Sequence, residues 1–327
     1  MTPVTLNSES GARPLISLRG QVAIVTGARR GLGRSYAHEL AGRGAAVVVN
    51  GTPESGGLDE LVAEIAAAGG IAVASPRDIT TRDGGRAVVD DALKAFGAIH
   101  ILVNNAGILR TDFFENLTDA KIDDVFDIHL NSLFYVTQPT FAVMREAGYG
   151  RIINTSSNTA FGMSGLASYG AAKAGVIGFT KCLALEASEH GIGVNCILPN
   201  ATTPAMANDP IPGFENDTRF GAAFTAVSDR FGTDLVAPMV AFLASRDCTL
   251  SGEALSALGG RYARVFFGVT EGWLAPSGVI TADDIAANIS QITDPSNHFI
   301  VDAIIDEYEA VAVQIAASQP TVEGAEK

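Results

Sequence analysis

The stretch "QVAIVTGARRGLG", residues 21–33, indicates the fold more clearly than any other part of the chain. It joins a short β-branched run to a glycine-rich loop, and residues with helical spacing follow it. Glycine at positions 27, 31 and 33 permits a tight turn and lets backbone N–H groups approach a phosphate at a helix N-terminus. The spacing is Gly-x3-Gly-x-Gly, which differs from the more common Gly-x-Gly-x-x-Gly. A strand, such a loop and a helix in this order predict the first unit of a dinucleotide-binding fold.

Outward from this unit, apolar runs of strand length alternate with longer alanine-rich segments. The strand candidates are apolar on both faces, which is typical of a parallel sheet covered by helices on both sides. The alternation predicts a doubly wound α/β sheet. The predicted strands are 21–26, 45–50, 71–75, 99–104, 151–156 and 192–199 with a seventh near 253–260, and the predicted helices are roughly 32–43, 57–69, 82–96, 118–147, 166–190 and 233–245.

The main domain is bounded by changes in composition. Residues 1–17 are polar and are expected to form a flexible arm, and residues 18–260 contain the predicted sheet. The segment 200–232 holds three prolines and has no clean periodicity. We therefore expect this segment to be a lid or substrate-binding loop within the domain.

The end of the chain has a different character. Residues 261–327 carry apolar side chains at helical intervals. Thr281 and Asp284 have the spacing of a capping box, which marks a helix N-terminus. We expect one or two amphipathic helices here, forming a C-terminal extension of the main domain.

Composition and charge exclude several classes of function. The net charge is −14, and such an acidic chain is a poor partner for nucleic acid or an anionic membrane surface. No signal peptide is visible, and no run of about 18 apolar residues predicts a membrane span. The three cysteines are widely separated and lie near no histidine cluster, which is typical of a reduced, cytoplasmic protein without a metal site.

The end of the second predicted strand bears on which dinucleotide binds. NAD sites usually place an acidic residue there to bind the ribose hydroxyls, but this strand ends in Asn50, Gly51 and Thr52. Arg29 and Arg30 stand in the glycine loop, where a guanidinium can meet a 2′-phosphate. We expect NADP(H), and we keep NAD(H) as an alternative because solvated loop arginines explain the same residues.

Two further strand ends are candidates for the cofactor cleft. Asp78 follows the third strand at the sheet edge, where its carboxylate can hold an adenine amino group. Asn104, in "NNAG", can tie neighbouring strand ends together, while Ala106 and Gly107 leave room for a cofactor. An ordinary turn explains "NNAG" about as well when it is considered alone.

A tyrosine and a lysine lie one helical turn apart in "SYGAAKAG", residues 168–175. Tyr169 and Lys173 therefore leave the same face of a helix. Hydride transfer between an alcohol and a nicotinamide needs a proton at the oxygen, and a free tyrosine with a pKa of about 10 holds its proton too tightly. We expect Lys173 and the nicotinamide ring to lower the pKa of Tyr169 to about 7, which would make Tyr169 the acid and base.

A serine and an asparagine are candidates to complete the site. The fifth strand ends in "NTSSN", which places a hydroxyl at the carboxyl edge of the sheet, where it can hold a substrate oxygen. Counting along the strand favours Ser157, with Ser156 as the alternative. Asn131 lies in mid-helix, where asparagine is disfavoured, and it can bind a water that links Lys173 to solvent. A polar residue at a helix kink explains Asn131 as well.

The order of "TGARRGLG", "NNAG", Asn131, the serine and "YGAAK" resembles the short-chain dehydrogenase/reductase family over about residues 18 to 260. The resemblance implies a Rossmann-type domain, NAD(P)(H), a Ser–Tyr–Lys–Asn tetrad and a homodimer or homotetramer. The family's usual spacing before the tyrosine favours Ser156 instead of Ser157. The cofactor-binding residues expected on this basis are Gly27, Arg29, Arg30, Gly31, Leu32, Gly33, Asn50, Gly51, Thr52, Asp78, Ile79, Asn105, Ala106, Gly107, Tyr169, Lys173 and Pro199.

Within the family, "VVVN", "GRIIN", "PNA" and "GGRYARVFFG" are most similar to the dehydrogenase domain of multifunctional enzyme type 2 and its bacterial relatives. This resemblance implies a bulky apolar alcohol or ketone substrate, such as a 3-hydroxyacyl-CoA or a hydroxysteroid. Those relatives usually carry an NAD-selecting aspartate where this chain has Gly51, so the two arguments disagree on the cofactor. The loop side chains expected to line the substrate pocket are Met206, Ile211, Phe214, Phe220 and Phe224.

Two other interpretations of the same residues stay open. A non-catalytic dinucleotide-binding sensor or scaffold has the same fold, but it does not need the spacing of Tyr169 and Lys173. An epimerase or dehydratase that uses nicotinamide internally is compatible with a length of 327 residues. The positions of Asn131 and "NNAG" favour a simple oxidoreductase acting on a small-molecule alcohol or ketone.

Overall fold

The computed structural model describes residues 16–201, 211–213, 218–276 and 278–318. Within these residues the central sheet has eight strands, in the order β3-β2-β1-β4-β5-β6-β7-β8. The strands are β1 (Val22–Val25), β2 (Ala46–Gly51), β3 (Ile71–Pro76), β4 (Ile101–Asn104), β5 (Gly150–Thr155), β6 (Ile192–Asn200), β7 (Ala254–Leu258) and β8 (Arg261–Val265).

Helices cover both faces of this sheet. Buried side chains of α1, α2 and α8 share one core with the sheet. Side chains of α3, α5 and α6 form a second core on the other face. The helices are α1 (Gly31–Gly42), α2 (Leu58–Ala67), α3 (Arg82–Phe96), α4 (Asp119–Phe126), α5 (Ser132–Ala147), α6 (Ala167–Ala187), α7 (Thr218–Thr225), α8 (Ala237–Ala244), α9 (Ala282–Ile292) and α10 (Ile304–Ser318).

The strands supply apolar side chains to both cores by alternation. In β1, Ala23 and Val25 belong to the first core, and Ile24 between them belongs to the second. Successive side chains of a strand point to opposite faces, so a strand covered on both sides has to be apolar throughout. This arrangement explains the uninterrupted apolar runs of the sequence.

The strand order places a crevice between β1 and β4. Strand β1 pairs in parallel with β2 on one side and with β4 on the other. The helices that follow β1 and β4 lie on opposite faces of the sheet. The loops at the carboxyl ends of these two strands therefore diverge. Ligands of doubly wound sheets bind at such a switch point.

A π-helical turn, Asp127–Asn131, connects α4 to α5, so that residues 119–147 form one continuous helical segment. This confirms the helix predicted over 118–147. A π turn inserts one residue into a helix and occurs frequently at functional sites. Helix α6 packs closely on this turn at Gly175. A Cβ added there would lie only 3.1 Å from Leu130 Cδ2.

Buried polar side chains join the carboxyl ends of β4 and β5 to the helices beside them. The Asn104 amide donates hydrogen bonds to Asn154 Oδ1 and to Thr137 Oγ1, both at 2.9 Å. The Asn154 amide donates to Thr180 Oγ1 at 3.0 Å. Asn104 thus ties neighbouring strand ends, as its position predicts. This series of hydrogen bonds links α5, β4, β5 and α6. It therefore fixes the relative positions of the elements that carry the candidate site.

The doubly wound sheet is confirmed with its seven parallel strands, and an eighth strand is added. Strand β8 pairs antiparallel with β7. It lies in the segment for which only helices were expected. Gly259 and Gly260 turn the chain between the two strands with φ of 59° and 80°, as a two-residue hairpin requires.

The C-terminal extension contains both helices and strands. Helices α9 and α10 agree with the predicted amphipathic helices, and the capping box of Thr281 and Asp284 is present. Two strands that were not expected, β9 (Phe267–Thr270) and β10 (His298–Val301), form a separate antiparallel pair. Many apolar side chains of this extension are exposed. Among the described residues no helix is long and apolar enough to cross a membrane.

The buried amide chain generates a prediction about stability. Asn154→Ala removes the acceptor of the Asn104 amide and the donor to Thr180, which leaves buried polar groups short of a partner. We expect the free energy of unfolding to fall by roughly 2–3 kcal/mol, measured by urea denaturation. Asn288→Ala is the matched control, because that amide donates to the Asp284 carbonyl on an exposed helix, and the change should stay below about 0.5 kcal/mol. Equal losses in the two variants would contradict a stabilising role for the buried chain.

Candidate active site

A cavity of ≈ 970 Å³ opens at the carboxyl ends of the parallel strands. Its size lies at the upper end of the range for small-molecule sites, about 300–1,000 Å³. Two of the predicted site residues, Asp78 and Asn131, are absent from its wall. The predicted residues that do form the wall are Gly27, Arg29, Arg30, Gly31, Leu32, Gly33, Asn50, Gly51, Thr52, Ile79, Asn105, Ala106, Gly107, Ser156, Ser157, Tyr169, Lys173 and Pro199.

The glycine loop has the geometry of a phosphate cradle. Gly27 has φ of +63°, and a Cβ there would lie 2.6 Å from Ala106 Cα. A Cβ on Gly33 would overlap the Gly27 carbonyl oxygen. No described side chain caps the N-terminus of α1, and no acidic residue lies in its first turn. A helix N-terminus of this kind presents backbone N–H groups and a partial positive charge, so the loop fits the pyrophosphate of a dinucleotide.

The loops after β2 and β3 form the neighbouring part of the wall. The buried Asn50 amide donates to the carbonyls of Ser75 at 2.9 Å and Arg77 at 3.0 Å, which locks the ends of β2 and β3 together. The Arg29 side chain packs over Gly57, since a Cβ there would lie 3.4 Å from Arg29 Cγ. Arg29 lines the same cavity as Gly51 and Thr52 at the end of β2.

The cavity wall includes Arg29, Arg30 and Arg77, and these arginines differ in whether a carboxylate already pairs with the guanidinium. The Arg77 guanidinium pairs with Asp91 at 2.9 and 3.0 Å. Arg29 and Arg30 line the same cavity, and neither guanidinium pairs with a carboxylate among the described residues. The glycine loop therefore carries the cations that can meet a ligand phosphate.

The structure does not bring the Asp78 carboxylate to the cavity. Asp78 is exposed, and its Oδ1 accepts hydrogen bonds from the Thr80 N–H at 3.0 Å and the Thr80 hydroxyl at 2.7 Å. The carboxylate thus folds back on its own loop, a common habit of aspartate in turns. Ile79 forms the cavity wall at this point.

The two candidate serines have different partners. The Ser156 hydroxyl is buried and donates to the Lys173 carbonyl at 2.7 Å. The Ser157 hydroxyl accepts from the Thr159 N–H at 3.2 Å, and its effect on Tyr169 is to lower the pKa of that phenol. Ser157, at the end of β5, is therefore the serine whose hydroxyl faces Tyr169.

Lys173 is buried at the cavity wall beside Tyr169. Its Nζ donates to the Thr155 carbonyl at 2.6 Å and lies 5.6 Å from the centroid of the Tyr169 ring. Burial lowers the pKa of Lys173 to about 7. The four-residue spacing therefore does bring the two side chains together on one face of α6.

Burial dominates the pKa of Tyr169 in the structure. Burial raises the pKa of Tyr169 to about 12, and the hydrogen bond with Ser157 offsets part of this rise. The expectation of a pKa near 7 included the charge of a nicotinamide ring as well as that of Lys173, so it stays a prediction. The structure adds a cause that the expectation did not count, the loss of water around both groups.

Asn131 does not reach the cavity, and His129 does. The Asn131 amide donates to Asp127 Oδ1 at 2.7 Å within the π turn. His129, two residues earlier, is 5 % exposed and lines the cavity. Its ring meets the Tyr169 ring edge to face, with centroids 5.1 Å apart. Sequence reasoning missed His129, and the available signal was its position two residues before Asn131 in the same helical segment.

Apolar side chains from several loops contribute to the cavity wall. Of the loop residues expected to line a substrate pocket, Ile211, Phe220 and Phe224 do so. Met206 and Phe214 lie outside the described residues. Phe113 and Met163 add further apolar surface from other loops. This part of the wall suits an apolar group larger than a short alcohol.

Comparison with known proteins bears on this site. Residues 21–212 match the family described as short chain dehydrogenase. A short-chain type dehydrogenase/reductase of Mycobacterium tuberculosis is 37% identical over 290 residues, which cover 85% of this chain and 96% of that protein. Peroxisomal multifunctional enzyme type 2 of Drosophila melanogaster is 39% identical over 250 residues, covering 74% of this chain and only 39% of that protein.

Solved structures give the same picture. The full-length Drosophila enzyme has a TM-score of 0.73 at 30% identity, covering 92% of this chain and 50% of that chain. An NAD(P)-dependent gluconate 5-dehydrogenase from Beutenbergia cavernae, solved with bound NADP, has a TM-score of 0.67 at 32% identity. That match covers 75% of this chain and 97% of the other.

The lowered pKa of Lys173 generates a prediction about stability and pH. Between pH 7 and about 10.5 the unfolded chain keeps this proton and the folded chain has lost it. The unfolded state binds more protons in that window, so the contribution of Lys173 to stability improves as pH rises through it. Lys173→Met abolishes this contribution. The free energy of unfolding of wild type relative to Lys173→Met should therefore rise from pH 7 to pH 10, as measured by urea denaturation at each pH. A constant difference would contradict a lowered pKa.

Proposed function

The chain belongs to the short-chain dehydrogenase family of NAD(P)-dependent oxidoreductases, and from this premise we propose that it interconverts a secondary alcohol and a ketone with Tyr169 as acid and base. One observation carries the proposal. Ser157, Tyr169 and Lys173 line the same cavity as the glycine loop, and Lys173 Nζ lies 5.6 Å from the centroid of the Tyr169 ring. A reacting oxygen and a dinucleotide can therefore share this cavity.

The proposed mechanism assigns one task to each side chain. A bound nicotinamide cofactor would supply or accept the hydride. In the direction of ketone reduction, the Ser157 hydroxyl donates a hydrogen bond to the substrate oxygen, and Tyr169 transfers its proton to that oxygen. The Lys173 ammonium stabilises the phenolate that remains, because a nearby positive charge favours the ionised form. In alcohol oxidation the same proton returns to Tyr169.

We propose a bulky apolar substrate, such as a 3-hydroxyacyl thioester or a hydroxysteroid. Support comes from Phe113, Phe220 and Phe224, which line the cavity together with Ile211 and Met163. The similarity to multifunctional enzyme type 2 supports the same class. Burying such side chains against a lipid-like group is favourable by about 25 cal/mol per Å² of apolar surface.

We propose that NADP(H) is preferred to NAD(H). The end of β2 offers Asn50, Gly51 and Thr52 in place of a carboxylate. Arg29 lines the same cavity as these residues, and guanidinium groups bind phosphate well. The NADP bound in the Beutenbergia relative is consistent with this preference.

The proposed enzyme is a cytoplasmic homodimer or homotetramer. Support for assembly comes from apolar side chains that are exposed on long helices, including Phe134 on α5 and Tyr308 on α10. The three cysteines are free in the structure, with two of them buried. A dinucleotide-binding sensor and an epimerase or dehydratase remain as the competing proposals, and the experiment below separates all three.

The activity is tested with NADPH, NADH and a panel of bulky ketones that includes 3-ketoacyl thioesters, by following nicotinamide absorbance. We expect turnover in the wild type and a loss of about 10²–10⁴-fold in Tyr169→Phe, since that variant lacks the proton. Tyr308→Phe removes a hydroxyl from an exposed ring of α10 and serves as the matched control without loss.

Each outcome of that panel separates the proposals. Cofactor binding without turnover on any ketone supports a sensor. Conversion of substrate without net consumption of reduced cofactor supports an epimerase or dehydratase. Full activity in Tyr169→Phe would overturn the assignment of the acid and base.

The cofactor preference is tested by the Kd values of NADPH and NADH. We expect Arg29→Ala to weaken NADPH binding roughly tenfold and to leave NADH binding nearly unchanged, because only NADPH carries the 2′-phosphate. Arg86→Ala, on the exposed surface of α3, is the control for a general change in charge. Equal weakening of both cofactors by Arg29→Ala would contradict a role in selecting the phosphate.

A further inference from the structure

The charged side chains of the cavity wall are all basic among the described residues. They are Arg29, Arg30, Arg77 and Lys173. The two arginines of the glycine loop are assigned to the cofactor, Arg77 is paired with Asp91, and Lys173 lies beside Tyr169. The described wall therefore offers no further cation to a phosphate that the substrate itself would carry.

Three loops, which follow β4, β5 and β6, supply many of the apolar side chains of this wall and contact one another. The Asp112 N–H donates to the Gly165 carbonyl at 3.1 Å. A Cβ on Gly213 would lie 3.4 Å from Phe113 Cζ. Because the loops meet at the cavity, their charges act on any substrate that enters it. The segments, called the substrate loops below, are residues 107–124, 157–166 and 200–219, of which 202–210 and 214–217 lie outside the described residues.

Basic residues are few in the substrate loops. The sequence of these segments contains Arg110, Lys121 and Arg219. Arg110 Nε lies 3.1 Å from Asp124 Oδ2, and Lys121 Nζ lies 2.7 Å from Asp112 Oδ2. The hydrogen bond from Lys121 lowers the pKa of Asp112, so this carboxylate stays ionised at neutral pH. Either of the two paired cations would have to leave its carboxylate to meet a phosphate.

Acidic residues outnumber basic ones in the sequence of the substrate loops, eight against three. The acidic residues are Asp112, Glu115, Asp119, Asp123, Asp124, Asp209, Glu215 and Asp217. A surplus of negative charge repels an anionic group, and the repulsion acts over about 10 Å at 0.1 M salt. Thioesters of coenzyme A carry several phosphate groups, so they approach the cavity at a disadvantage that salt relieves.

Aromatic side chains of the same loops are open to solvent. Phe114 is 78 % exposed and Phe161 is 64 % exposed, and Phe113 lines the cavity. Contact with an uncharged ring or hydrocarbon chain removes such surface from water, which is favourable. The substrate loops thus combine apolar surface with a charge that opposes anions.

We propose that the substrate loops are a specificity element that selects an uncharged, lipid-like ketone or secondary alcohol and discriminates against thioesters of coenzyme A. Specificity of this kind combines attraction for one class of ligand with repulsion of another. The inference rests on the proposed oxidoreductase function and decides between its two examples. An uncharged compound of the hydroxysteroid type is the substrate class, and a 3-hydroxyacyl group is accepted better without a phosphorylated carrier.

The first test compares one 3-oxoacyl chain on two carriers, with NADPH at saturation. The carriers are coenzyme A and N-acetylcysteamine, which has no phosphate, and an uncharged steroid ketone is measured beside them. We expect kcat/KM for the coenzyme A thioester to be about tenfold lower than for the N-acetylcysteamine thioester at low salt. The difference should shrink as the salt rises to about 0.3 M, whereas the uncharged substrates respond little.

Two variants change the charge of the substrate loops. Glu115→Lys reverses an exposed charge two residues after Phe113, and Asp112→Asn frees Lys121 from its carboxylate. We expect each variant to raise kcat/KM for the coenzyme A thioester about threefold at low salt and to leave the N-acetylcysteamine thioester nearly unchanged. Glu146→Lys is the matched control, because it makes the same reversal in the last turn of α5, next to the amino end of β5. It should change neither value.

Two results would overturn the inference. A coenzyme A thioester with the higher kcat/KM at low salt, declining as salt rises, shows that a cation of the protein binds the carrier. A loss confined to that thioester in Arg219→Ala identifies Arg219 as this cation.

Failure of the proposed function is a separate result. If none of the ketones is turned over, the oxidoreductase proposal fails, and binding of free coenzyme A in the presence of saturating NADPH is measured by calorimetry. We expect no binding tighter than about 1 mM. Tighter binding that salt weakens would contradict the role of the substrate loops, whatever the activity.

Discussion

A reciprocal pair of hydrogen bonds between β5 and α6 holds the site together. The Lys173 amine donates to the Thr155 carbonyl at 2.6 Å, and the Ser156 hydroxyl donates to the Lys173 carbonyl at 2.7 Å. Each element thus uses one side chain to bind the backbone of the other. With the end of the strand fixed on the helix, Ser157 has to face Tyr169, one turn before Lys173. The buried amine is tolerated because this hydrogen bond gives it a partner that burial would otherwise remove.

The rest of the fold supports this junction. The Asn104–Asn154 pair joins β4 to β5 one residue before Thr155 and connects both strands to α5 and α6. Close packing of Gly175 on Leu130 brings the π turn against the same helix. The cavity wall therefore consists of elements that are linked by buried hydrogen bonds. Such preorganisation lets a side chain hold its position without paying orientational entropy during the reaction.

The sequence predicts the parallel sheet because its short apolar runs alternate with helical segments. Strands that are apolar on both faces have to be covered by helices on both sides. It predicts the contact of Tyr169 with Lys173 because helical spacing is local. It does not predict that Asp78 turns back on Thr80, since loop hydrogen bonds compete with a ligand. The sequence analysis places Asn131 at the site, whereas His129 lines the cavity. The π turn changes which side chain of this helical segment faces the cavity. The β7–β8 hairpin had a signal in Gly259 and Gly260 that was treated as the end of the domain.

The β7–β8 hairpin determines which strand forms this edge of the sheet. With β8 in place, β7 is paired on both sides, and the outermost strand is short and carries Arg261 and Arg264. Arg264 is held by Glu253 and Asp302. An unpaired border strand is a template for edge-to-edge aggregation, and charged side chains on a short strand oppose it. A short outermost strand with two arginines is therefore a poor template for the sheet of a second chain.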